Sequence, residues 1–147
     1  MNELDVYKRQ NMGNESGWGR RPALLIVDFT NGFNDPEKFG GGNIDPAVQR
    51  TVGLLDCFRH LKLPVAFTRV VYADDGSDAG VFCKKAPGLR TLTEDNPDGH
   101  IVPELTPVDG EYIVRKTMPS AFFGTSLMSW LTLNGVDTIV HTGCTTS

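Results

Sequence analysis

The sequence predicts an α/β protein, a three-layer α/β/α sandwich built on a parallel sheet. Three observations predict it. The run Pro22-Ala23-Leu24-Leu25-Ile26-Val27 is apolar without alternation and is followed at once by Asp28, the pattern of a strand buried on both faces. A stretch with helical periodicity and a second apolar run follow before residue 73, which makes a β-α-β unit with a right-handed crossover. The order strand, helix, strand, loop, strand, helix, strand then continues to Ser147, as a sandwich with helices on both faces requires.

Taken in order, residues 1–20 read as a flexible polar arm that docks only near Trp18, and residues 21–147 as one domain. The first strand spans about 23–29. Asn31-Gly32-Phe33-Asn34-Asp35-Pro36 and the Gly40-Gly41-Gly42 triplet read as loop. The triplet lacks the Lys-Ser/Thr of a phosphate loop. Asp45-Pro46 opens a helix, with Asp45 as the capping residue. Val48, Val52, Leu55 and Phe58 form its apolar stripe, Leu54 and Leu61 widen it, and Lys62 closes it. The second strand spans 64–72. Residues 73–99 read as irregular chain with one helical turn near 89–92, and 101–105 as a short helix or turn. Asp74, Asp75 and Asp78 lack the spacing of a calcium loop and read as a solvated acidic segment. A third strand covers 111–116. A helix carries Leu127, Trp130, Leu131 and Leu133 and stops at Asn134-Gly135. The fourth strand, 136–142, runs into Gly143-Cys144-Thr145-Thr146-Ser147.

Composition narrows the function classes. The 147 residues carry a net charge of −4 and no basic cluster, which argues against nucleic acid. No stretch approaches the roughly 20 apolar residues of a membrane span. The N-terminus is polar and acidic, unlike a secretory signal, and a cytoplasmic location is expected. Cys57, Cys83 and Cys144 are scattered and reduced thiols are expected. Cys57 reads as a small core residue, and Cys83, ahead of Lys84-Lys85, as incidental. His60, His100 and His141 are also dispersed. His60 suits the end of a helix, His141 reads as a core histidine of the fourth strand, and no metal and no cofactor are expected.

The candidate site lies where strands end. Asp28, Lys116 and the 143–147 turn all follow apolar strands, and in open α/β sheets that edge is where ligands bind. An acid and a lysine brought together there form either a structural ion pair or a proton-sharing catalytic pair.

These residues also carry a resemblance. Gly17-Trp18-Gly19-Arg20-Arg21-Pro22-Ala23-Leu24-Leu25-Ile26-Val27-Asp28, Lys116 with Ser120-Ala121-Phe122-Phe123-Gly124-Thr125, and Gly143-Cys144-Thr145-Thr146-Ser147 resemble the isochorismatase-like cysteine hydrolases. Within that family they are most similar to the N-carbamoylsarcosine amidase and maleamate amidohydrolase branch. The resemblance implies a Rossmann-like sandwich and an Asp–Lys–Cys triad acting on a small amide or carbamoyl compound. Asp28 matches the acid and Lys116 the lysine. The pattern after the fourth strand resembles Gly-x-Thr-Thr-Ser-Gly-Cys, whose thiol falls two positions past Ser147. Cys144 matches its second position and is not the expected nucleophile. The resemblance further implies a cis peptide at Cys144–Thr145 in an oxyanion-binding turn, and substrate contacts from Phe33 and Thr145. The chain is expected to be C-terminally truncated, inactive as given, marginally stable, and a homo-oligomer when full length. Two alternatives stand beside this reading. One is an inactive or ligand-binding remnant of such a protein. The other is a haloacid-dehalogenase-like phosphatase, which would need a second acid where this chain has Thr30.

Overall fold

The computed structural model describes residues 17–144. Four parallel strands form one sheet: β1 (Pro22–Val27), β2 (Val65–Val70), β3 (Tyr112–Lys116) and β4 (Thr138–Gly143), in the spatial order β3-β2-β1-β4. The chain moves from β1 to β2 and β3 on one side, then crosses back to place β4 on the other side of β1. The carboxyl end of β1 is therefore the topological switch point, where a crevice opens in such sheets.

Alternation along β1 distributes two cores. Leu24 and Ile26 pack with Val48, Leu55 and Phe58 of α2 (Ile44–His60), while Ala23 and Leu25 pack with Leu127 and Leu131 of α4 (Leu127–Leu133). Helices thus cover both faces, as the uninterrupted apolar run of β1 requires. No helix among the described residues is long and apolar enough to cross a membrane.

Several local expectations need correction. Asn31–Asn34 forms a helical turn, α1, because the Asn34 N–H reaches back to the Thr30 carbonyl at 3.0 Å. Helix α2 starts at Ile44, so Asn43 and not Asp45 holds the cap position. Pro46 still lies in the first turn, where a missing N–H costs nothing. Residues 73–99 contain α3 (Phe82–Lys85) and 3-10 turns at Pro87–Thr91 and Pro97–Gly99, anchored by buried Cys83, Leu89 and Leu92. Segments this short bury one or two side chains and carry no readable period. Cys57 lies on the outer face of α2 and is exposed, not core. Leu61 is also exposed, because the helix ends before it, and Leu133 is 86% exposed on the last turn of α4. His141 is exposed and lines a cavity instead of filling the core.

The start of the domain docks differently from expectation too. Trp18 is 78% exposed, and main-chain groups do the docking. The Arg20 and Arg21 N–H groups donate to the Asp137 carboxylate at 2.8 and 3.0 Å, and the Gly19 N–H to Thr138 Oγ1 at 2.9 Å. The Arg21 side chain adds a bond to the Asn134 carbonyl. A Cβ on Gly19 would lie 2.1 Å from Asp137 Oδ1, so a side chain there would have to displace the carboxylate that accepts the Arg20 and Arg21 N–H groups. The two N–H donors hold the Asp137 carboxyl below its ordinary value. A depressed carboxylate contributes stability above its unfolded value near 3.8 and loses it as pH falls through the lower folded value. Asp137→Ala should free this segment at neutral pH, and limited trypsin digestion should cut at Arg20–Arg21 many times faster than in the unaltered protein.

The far end of β4 meets an equally tight constraint. Gly143 has φ +146°, and a Cβ there would lie 2.2 Å from the Val27 carbonyl oxygen. No side chain fits, because the Val27 carbonyl must also accept the Cys144 N–H at 3.0 Å. Gly143→Ala should cost about 3 kcal/mol or more, in the range of strained-backbone substitutions. Urea unfolding of both proteins measures it.

Candidate active site

Asp28 follows β1 directly and has φ +54°, a left-handed conformation that Asp tolerates better than most residues. Its N–H remains in the sheet, shared between the Thr68 carbonyl and Thr68 Oγ1, each at 3.2 Å. Its own carbonyl accepts the Thr30 N–H at 2.8 Å and the Cys144 thiol at 3.0 Å. The backbone is thus pinned from β2, from the next turn and from β4.

The Asp28 carboxylate is equally committed. Oδ1 accepts the Thr68 hydroxyl at 2.5 Å and Oδ2 pairs with Lys116 Nζ at 2.8 Å. Lys116 also donates to the Pro119 carbonyl at 2.8 Å. Asp28 and Lys116 are 2% and 4% exposed. Parallel register explains the meeting: Val27 lies opposite Thr68 on β2, and Val70 lies opposite Lys116 on β3. The chain order of strand ends, acid on the central strand and lysine on the outer one, becomes a contact across β2.

The pair lies in the wall of a cavity of about 800 Å³. Phe33, Phe39, Tyr72, Leu89 and Phe122 give this cavity a largely apolar lining, and Ser120 and His141 also border it. Phe33 and Phe39 pack with ring centres 5.6 Å apart, so α1 and the glycine-rich segment after it hold one wall.

Of the residues singled out from sequence, Asp28, Lys116 and Phe33 meet at the cavity. Cys144 does not line it. Its thiol is buried, packs in the α2-side core and donates to the Asp28 main-chain carbonyl at 3.0 Å. Its N–H is engaged by Val27 and is not directed at a ligand. Thr145, and with it the Cys144–Thr145 peptide, lies outside the described residues. Thr68, Tyr72 and the Pro119 carbonyl were not legible as site groups. The signal for Thr68 was a hydroxyl inside the otherwise apolar run 65–68, one register step from the end of β1. Among the described residues, no group of three or more His, Cys, Asp or Glu gathers to hold a metal ion. The acidic loop is used locally, with Asp75 accepting the Ser77 N–H and Asp78 the Ala73 N–H, both at 2.9 Å.

This geometry, a buried acid–lysine pair at the switch point of a β3-β2-β1-β4 parallel sheet, can be compared with known proteins. The isochorismatase domain family matches residues 22–147. The chain belongs to the isochorismatase family. Among its relatives, maleamate amidohydrolase of Pseudomonas putida is 37% identical over 137 residues, covering 92% of this chain and 64% of that protein. N-carbamoylsarcosine amidase of an Arthrobacter species is 31% identical, covering 95% of this chain and 55% of that protein. A crystal structure of a cysteine hydrolase from Pseudomonas syringae pv. phaseolicola superposes with a TM-score of 0.79 at 30% identity, over 84% of this chain and 59% of that one. The present isochorismatase-family chain therefore spans about half to two thirds of the length of the relatives it matches. The parallel α/β fold expected from sequence is the fold of these structures.

Proposed function

We propose that this isochorismatase-family protein is an amidohydrolase that cleaves a C–N bond of a small amide or carbamoyl compound through a thioester. The observation that carries the reading is the 2.8 Å Asp28–Lys116 pair, buried beside a largely apolar cavity. Names of the relatives support the reaction class.

In this reading the nucleophile is the thiol of the residue two positions past Ser147. Asp28 accepts the thiol proton, and the Lys116 ammonium stabilises the resulting thiolate. A C–S bond forms to the amide carbonyl carbon, and the carbonyl electron pair moves onto oxygen. When the pair returns, the C–N bond breaks and Asp28 gives its proton to the leaving nitrogen. Asp28 then takes a proton from water, whose oxygen attacks the thioester and releases the acid and the thiol. Thr68 fixes the carboxylate by its 2.5 Å bond, and Pro119 fixes the ammonium.

Cys144 is not the nucleophile here. Its sulfur contacts a main-chain carbonyl in the core, whereas attack needs a sulfur within about 3–3.5 Å of the substrate carbon. The test is ammonia release from maleamate, N-carbamoylsarcosine and nicotinamide. The 147-residue chain should release none. A chain continued through Gly, Cys and the following helix should release it, and Cys144→Ala should leave that rate nearly unchanged. Turnover by the 147-residue chain that Cys144→Ala abolishes would overturn the assignment.

A further inference from the structure

We propose that the Phe39 ring is the specificity-determining wall of the cavity beside Asp28: it admits a small amide or its acid and shuts out the same compound carrying an aryl group. The inference deepens the hydrolase reading of that cavity and rests on it. Phe39 and Phe33 both line the cavity, with ring centres 5.6 Å apart and planes tilted by 48°. Two glycines leave the room in which the Phe39 ring lies. A Cβ on Gly32 of α1 would stand 3.0 Å from Phe39 Cδ2, and a Cβ on Gly88 would stand 3.2 Å from Phe39 Cε1. Cδ2 and Cε1 are opposite corners of the ring. The ring therefore spans the gap from α1 to the Pro87–Thr91 turn and joins two elements of the wall.

Backbone conformation does not explain the glycine at 88. Gly88 is not in the left-handed region that favours glycine. Apart from its chain neighbours, the Phe39 ring is all that a Cβ there would meet within 4 Å among the described residues. The main chain of Phe39 is fixed as well. Its N–H donates to the Gly32 carbonyl at 3.2 Å, and the Gly40 N–H donates to the Asp35 carbonyl at 2.8 Å. A ring held by its own main chain and seated between two bare backbones has little room to swing aside for a larger ligand. An apolar wall of this kind discriminates by volume, and one methylene in such a pocket changes recognition by roughly 10–200-fold. Removing the ring leaves a phenyl-shaped apolar hollow bordered by Phe33 and by two residues without side chains. Hollows of that kind stay dry and take up an aromatic ring.

The test is the binding of maleate and phenylmaleate to the chain continued past Ser147, measured by titration calorimetry on the unaltered protein, Phe39→Ala and Phe39→Leu. The unaltered protein should bind phenylmaleate at least about tenfold more weakly than maleate. Phe39→Ala should reverse that preference, binding phenylmaleate at least about tenfold more tightly than the unaltered protein does. Phe39→Leu keeps apolar packing against Phe33 and should move the preference in the same direction by a smaller factor, so the outcome does not hang on how well the alanine variant folds. Phenylmaleate bound as tightly as maleate by the unaltered protein, or a preference that neither variant changes, would overturn the proposal. A purely structural ring would weaken both ligands together when removed and would not separate them. Neither readout needs turnover. A reversed preference in a protein that hydrolyses no amide would sink the hydrolase reading and leave this one standing. Hydrolysis of maleamate with an unchanged preference would do the opposite.

Discussion

Asp28→Asn in the chain continued past Ser147 should lower kcat/KM for amide hydrolysis by roughly 10²–10⁴-fold, the usual contribution of a positioned general base. The amide side chain keeps the shape, and with its oxygen turned toward Lys116 its NH2 can donate to the Thr68 hydroxyl oxygen, so folding should survive. What it cannot do is take a thiol proton. The loss should therefore appear in kcat and kcat/KM alike, with alkylation of the new thiol by iodoacetamide slowed at neutral pH. Steady-state kinetics and alkylation rates together check it. Asp28→Asn with undiminished turnover would remove the base from the account.

Lys116→Ala should destabilise the 147-residue chain by about 3–5 kcal/mol, because it leaves the Asp28 carboxylate buried without its cation. The loss exceeds that expected from the removed side-chain packing alone. A double substitution separates the two contributions: Asp28→Asn with Lys116→Met removes both charges and should recover much of the lost stability. The recovered protein should remain inactive when continued past Ser147, since neither proton acceptor nor cation is present. Denaturant unfolding of the two single variants and the double variant gives the coupling. Additive losses would mean that the 2.8 Å contact is not an energetic pair.

The frame of the fold was legible for a physical reason. A strand buried on both faces has no room for polar side chains, so β1 announces itself, and Asp28 stands out as the first charge after it. Lys116 was legible as the charge that ends β3, but its meeting with Asp28 depends on the register of β2 between them. Thr68 and Tyr72 were not legible because their roles come from contacts across the sheet and into the 78–93 segment. That segment hid α3 as well, since four residues supply only one buried anchor, Cys83. Cys57 and Leu61 misled for the opposite reason: an apolar residue in a helical stretch was assigned to the inner face, and α2 turns both outward or ends before them. His141 was taken for core because its strand is apolar, yet it borders the cavity.

The measurement that bears most directly on the account is the site of the acyl intermediate. The continued chain is mixed with maleamate, quenched in acid within the first turnovers, digested and weighed by mass spectrometry. The account predicts a thioester on the cysteine two positions past Ser147, present with Cys144→Ala and absent with Asp28→Asn. A thioester on Cys144, or ammonia release with no thioester on any cysteine, would contradict it.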